Sequence, residues 1–103
     1  MTIHQHRASV TAASGSVTST TLSVKGGLCR QLIARAATAT TLFQLDITDS
    51  NSVIVARYGY HRGEIMDMGN IGILPIPMAG TYNLNITNSS ADEVFTILLG
   101  VEE

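Results

Sequence analysis

Two stretches of this chain carry side chains with the chemistry to act on something. His4 and His6 form an H-x-H pair, and "RYGYHRGE", Arg57 to Glu64, crowds two tyrosines, two arginines, a histidine, a glutamate and two glycines together. Residues two apart on a strand project to one side, so His4 and His6 can offer two imidazoles to one metal ion. A third ligand must come from His61, Asp46, Asp49 or Asp67, and no spacing in the chain brings one close. The expectation is therefore no metal and no cofactor. Hydrolysis through an activated nucleophile needs Ser or Cys beside a histidine with an orienting carboxylate. No G-x-S-x-G elbow exists here, and the histidines lie only in the N-terminal segment and in the Arg57 to Glu64 stretch. Acid pairs for glycoside chemistry can be drawn from Asp46, Asp49, Glu64 and Asp67, as they can from almost any chain. No catalytic residue and no enzyme activity are expected. Cys29 is the single cysteine, which excludes an internal disulfide and a zinc site of several thiolates. Its neighbours Leu28, Leu32 and Ile33 suggest a buried thiol rather than a reactive one.

Position decides what the second stretch does. Gly59 and Gly63 bracket Tyr60, His61 and Arg62, which reads as a strand "SVIVARY" ending in a loop that turns back toward "EIMDM". A loop presenting Tyr58, Tyr60, His61 and Arg62 has the composition of a protein-contact site, because Tyr and Arg supply large contact area. The alternative is structural: Tyr58 and Tyr60 cap the open end of a core while Arg62 pairs with Glu64 or Asp67. Both readings stay open at this point.

The elements that hold these residues alternate with period two almost throughout. "LFQLDIT" places Phe43, Leu45 and Ile47 on one side, and "TYNLNITN" does the same with Tyr82, Leu84 and Ile86. "DEVFTILLGV" carries Phe95, Ile97, Leu99 and Val101 on one face but Val94 and Leu98 on the other, so it is expected as a central strand or one lying under a partner. "VTSTTLSVK", "LCRQLIARA" and "SVIVARY" complete the strands; the second has some helix propensity, but its length between Gly26-Gly27 and a Thr run favours strand. Turns are expected at Gly15, Gly26-Gly27, Asp49 to Ser52, Gly59, Gly63, Gly69-Asn70, Ala79-Gly80 and Asn88 to Ser90. "ILPIPMAG", with two prolines, reads as an edge or a crossing between sheets. The expected fold is all-β: a single-domain antiparallel β-sandwich, jelly-roll-like, of about eight strands. The sandwich spans residues 17–103. Residues 1–16 hold too few apolar side chains, Ile3 on one parity and Ala8, Val10 and Ala12 on the other, to order themselves unaided. They read either as an arm, with Ile3, His4, His6 and Val10 meeting a neighbouring subunit, or as an edge strand.

The surface narrows the class of partner. The chain of 103 residues is 45% hydrophobic and 14% charged with a net charge of −2, so its exterior must consist largely of Thr, Ser, Asn, Gln and Gly. Such a surface suits protein contact, and it lacks the positive field that draws proteins to nucleic acid. No segment reaches the roughly 20 apolar residues of a membrane helix, and no signal-peptide core opens the chain. The sequons at Asn85 and Asn88 matter only on a eukaryotic secretory route.

Three motifs add a likeness to these readings: "F-x-x-D-I-T-D" from Phe43, "G-T-Y-x-L-x-I-T-N-x-S-A" from Gly80 and the closing "F-T-I-L-L-x-V-E-E" from Phe95. Over residues 15–103 the chain resembles small virion proteins encoded among the structural genes of tailed bacteriophages. The "GTY" strand also resembles the closing strands of jelly-roll modules appended to secreted bacterial proteases. The resemblance implies a β-sandwich building block: a capsid decoration or cement protein, or a neck, tail or head-fibre component. Its partners would be capsid, portal or tail subunits and further copies of itself, with no nucleic acid and no membrane, and its location the virion, assembled in the bacterial cytoplasm. A carbohydrate-binding or adhesin-type module is the alternative, since Asn- and Thr-rich strand faces suit sugar hydroxyls.

Overall fold

The computed structural model describes residues 2–69 and 73–103. Seven strands follow one another: β1 (Ile3–Ala12), β2 (Thr18–Ala36), β3 (Leu42–Thr48), β4 (Ile54–Arg62), β5 (Glu64–Asp67), β6 (Ile76–Thr87) and β7 (Glu93–Glu102). All pairings are antiparallel, in the order β1-β7-β2-β6-β3-β4 with β5 beside β2. Helix is absent among the described residues.

The segments "VTSTTLSVK" and "LCRQLIARA", expected as separate strands, are one strand of 19 residues. Gly26-Gly27 does not reverse the chain but forms a bulge in the β2–β6 ladder, between Val24 and Gly27. Gly27 has φ +159°, and a side chain there would collide with the Glu102 carbonyl, its Cβ only 2.0 Å from that oxygen. Glycine is thus what lets β7 close against the bend. The bend splits β2 between two layers. Its first half pairs with β6, which continues the sheet into β3 and β4; its second half lies between β7 and β5, with β1 outside β7.

One continuous sheet therefore folds over itself into a sandwich-like domain, and the alternating apolar residues meet between its halves. Phe43 of β3 and Phe95 of β7, which are not sheet neighbours, face each other with ring centroids 4.9 Å apart and planes tilted by 58°. Leu32, Leu45, Ile47, Leu84, Ile86, Ile97 and Leu99 fill the space around them, all fully buried. The short dimension of the molecule, 20 Å, accommodates two layers about 10 Å apart with their outer side chains.

Turn chemistry places the chain reversals. At the β3–β4 hairpin Asp49 Oδ1 accepts from the N–H groups of Asn51 and Val53, both at 2.9 Å, and Ser52 takes a positive φ of 64°. The proline segment has a strand partner on one flank only: Ile76–Met78 pairs with β2, while β3 joins β6 from Asn83 onward. The expected turn at Gly69-Asn70 extends into residues outside those described. β7 is a central strand between β1 and β2, as its two apolar faces suggest.

Candidate functional site

The Arg57 to Glu64 stretch is strand rather than loop. β4 runs through Arg62, and the reversal comes only at Gly63, whose φ is +76° and whose added Cβ would lie 2.4 Å from the Ala39 carbonyl oxygen. Gly59 does not end the strand; it sits in a bulge, since Phe43 pairs with His61 but Leu45 pairs with Tyr58, leaving one extra residue on β4. That extra residue changes the phase of the strand. Tyr58 points into the core, 2% exposed, whereas Tyr60 turns outward, 55% exposed. The two tyrosines expected to work together therefore belong to different surfaces. Tyr60 donates to the Asn88 carbonyl at 3.0 Å, and the His61 ring Nδ1 lies 2.7 Å from the Gly59 carbonyl.

The expected charge pairing is also redistributed. Glu64 is taken by Arg35, the residue opposite it on β2, at 2.7 Å from Nε. Asp67 is taken by Tyr58, whose hydroxyl donates to Oδ2 at 2.8 Å, and Arg62 has no ion pair among the described residues. Asp67 is fully buried and accepts two further bonds, from the N–H of Gly69 at 2.9 Å and of Leu74 at 3.3 Å. Burial, then the hydrogen bond and charge of Asp67, push the Tyr58 hydroxyl pKa well above the ordinary tyrosine value. A phenol so protected is a structural donor that pins β4 to β5 and to both ends of the segment after β5.

The N-terminal segment is a strand at the sheet edge, with Ile3 to Ala12 in unbroken register with Glu102 to Glu93. His4, His6 and Val10 fall on the core-facing side, and Ile3 on the outer side. His6 Nε2 lies 2.8 Å from Glu103 Oε1, while Glu103 Oε2 accepts from the Lys25 N–H at 2.8 Å. These contacts hold the Glu103 carboxyl below its usual range, the His6 bond contributing most. Among the described residues no group of three or more His, Cys, Asp or Glu side chains is placed to hold a metal ion. Cys29 is fully buried, and burial pushes its thiol up to about 11.

What the fold does assemble is two outer faces of opposite character. On the layer of β1, β7, β2 and β5, register aligns Arg7, Leu98, Ile33 and Met66 in one row across four strands. Met66 is 49% exposed, and Val94 and Ile3 lie exposed on the same face. Arg7, Ile33, Arg35, Thr96 and Leu98 line a shallow depression of about 290 Å³ along this row. The opposite face, on β2, β6, β3 and β4, is a polar mesh. Ser19, Asn85, Asp46 and Arg57 align across it, with Arg57 bidentate on Asp46 at 2.9 and 3.1 Å. Asn85 also donates to Thr48 Oγ1 at 3.3 Å, and Asn88 bonds Gln44 beside Tyr60.

The apolar row was only half visible in sequence. Val94 and Leu98 stand off the phase of their strand, but that Ile33 and Met66 lie beside Leu98 depends on the pairing of β2 with β7 and β5. The chain matches no known protein-family model, and no curated protein is detectably similar to it in sequence.

Proposed function

We propose that this chain is a structural subunit of a tailed-bacteriophage particle, acting through protein–protein contacts on the outer face of β1, β7, β2 and β5. The observation that carries the contact is the row Leu98, Ile33 and Met66, apolar side chains lined up on an outer sheet face, with Arg7 at the β1 end of the row and the Arg35–Glu64 pair alongside it. Apolar patches rimmed by polar groups mark association surfaces, and the opposite face of the same domain offers a contrasting mesh of Ser, Thr, Asn and Asp. The assignment to a phage particle, as a decoration, cement, neck, tail or head-fibre component, is supported by the motifs beginning at Phe43, Gly80 and Phe95. The test is mass spectrometry of purified particles of the phage whose genome encodes the chain. Its peptides are expected in stoichiometric amount, and Leu98→Arg is expected to leave a folded domain that no longer joins the particle. Particles without the chain would overturn the proposal.

A second reading, a carbohydrate-binding module, is favoured by one arrangement: Tyr60, exposed for stacking, next to the amides of Gln44 and Asn88 at one end of the polar face. Glycan-array binding lost on Tyr60→Ala and on Arg62→Ala supports it; an array with no bound sugar removes it.

A further inference from the structure

A folded-over sheet has ends, and the ends here are not alike. β4, the last strand on one side, carries two bulges against β3, at Gly59-Tyr60 and at Val55, each putting an extra residue on the edge strand. β5 is four residues long. The unpaired flank of the first half of β2, Thr18 to Lys25, is capped at Lys25 by the Glu103 carboxylate. Bulges, short strands and side-chain caps are the devices by which soluble proteins stop edges from pairing. β1 has none of them. Its ten residues pair with β7 without a register break, and it contains no proline and no lysine.

We infer that β1 pairs with β1 of a second copy, antiparallel about a two-fold axis, joining the two sheets into one. This rests on the assembly reading above and names its first partner. The edge is complementary to itself in only a few registers, because outer side chains must meet outer side chains; the two residues of each cross-strand pair must therefore share parity. Centring on Arg7 sets two arginines directly opposite, which repel. Centring on His6 shortens the ladder to residues 3 to 9. Centring on Ala8 pairs residues 4 to 12 with 12 to 4 of the second copy: small Ala8 meets itself, Arg7 meets Ser9, Gln5 meets Thr11 and His6 meets Val10. Such an isologous contact closes as a dimer and keeps both Leu98–Ile33–Met66 rows on the same side, doubling the docking surface.

The purified chain is expected to sediment as a dimer in the micromolar range. Ser9→Glu faces Arg7 of the second copy at two symmetry-related places and should tighten the dimer about fivefold, while Ser9→Arg should loosen it about as much. Prolines at Ala8 and Ser9 separate assembly from folding, because neighbouring N–H groups on a strand point to opposite flanks. One of the two variants should lose the β7 bond and stability; the other should keep its thermal midpoint and become monomeric. A wild-type monomer up to the highest soluble concentration overturns the inference, as does a dimer indifferent to both prolines and to the sign of charge at Ser9. Because sedimentation uses the isolated chain, a monomer that still enters particles removes the self-pairing alone, whereas a dimer absent from particles removes the phage assignment alone.

Discussion

Removing one oxygen atom from the core, Tyr58→Phe, probes the polar junction that joins β4 to β5. The ring stays where it packs, so the apolar contribution is unchanged and the cost is that of the hydrogen bond to Asp67 at 2.8 Å. A bond to a charged acceptor contributes about 1.5–3 kcal/mol. The middle of that range applies here: Asp67 has no exposed surface through which water could replace the bond, while its Oδ2 keeps the 3.3 Å contact from Leu74. A loss of about 2 kcal/mol corresponds to a fall of roughly 1–2 M in the urea midpoint at unchanged slope, and to about 8–16 °C in a domain of this size. Asp67→Ala should cost more, since it strands the Tyr58 hydroxyl and two backbone N–H groups together. Adding Tyr58→Phe to Asp67→Ala should then cost much less than Tyr58→Phe alone, because the bond is already gone. Urea unfolding followed by circular dichroism measures all of these. A single-variant loss below about 0.5 kcal/mol, less than a neutral hydrogen bond contributes, would refute the reading of Asp67 as an anchored buried acceptor.

Phe95→Ala, which empties the ring position opposite Phe43 between the two layers, should lower stability by about 3–5 kcal/mol in the same assay; a loss under about 1 kcal/mol would mean the layers do not meet there. Cys29 gives an alkaline signature. Its thiol is held at about 11 in the fold against 9.0 unfolded, so its contribution is complete below pH 9 and disappears as pH rises toward 11. Stability should therefore decline over that window, by about 2–3 kcal/mol from this group, and Cys29→Ala should flatten that part of the profile. For Glu103 the sign is opposite: its folded pKa lies below 4.5, so the contact with His6 and Lys25 stabilises above that value and fades as pH falls through the folded pKa. Carboxyl NMR titration should place the Glu103 midpoint below 4.5 and show it rising in His6→Ala, whereas an unmoved midpoint would dissociate the two residues.

Alternation of apolar and polar residues is a local property, and it was enough to mark β3, the second half of β6 and β7 as strands and to choose Phe43, Phe95, Leu84 and Leu99 as core, while segment length between Gly26-Gly27 and the Thr run favoured strand for Leu28 to Ala36. The turn at Asp49 to Ser52 was legible for the same reason, since one aspartate side chain and its own backbone build it. The make-up of the two outer faces was less legible, because the side chains that stand together on each come from strands far apart in the chain. Whether Gly26-Gly27 bends a strand or reverses it depends on β7 closing against Gly27. Whether Tyr60 joins Tyr58 or turns away depends on one extra residue in β4 opposite β3. Arg35 rather than Arg62 takes Glu64, and Arg7, Leu98, Ile33 and Met66 form a row, only once β1, β7, β2 and β5 lie side by side. Period and turn chemistry act over a few residues and were written in the sequence. Register is set by the packing of many strands at once, so the tertiary structure alone decided which residues share a face.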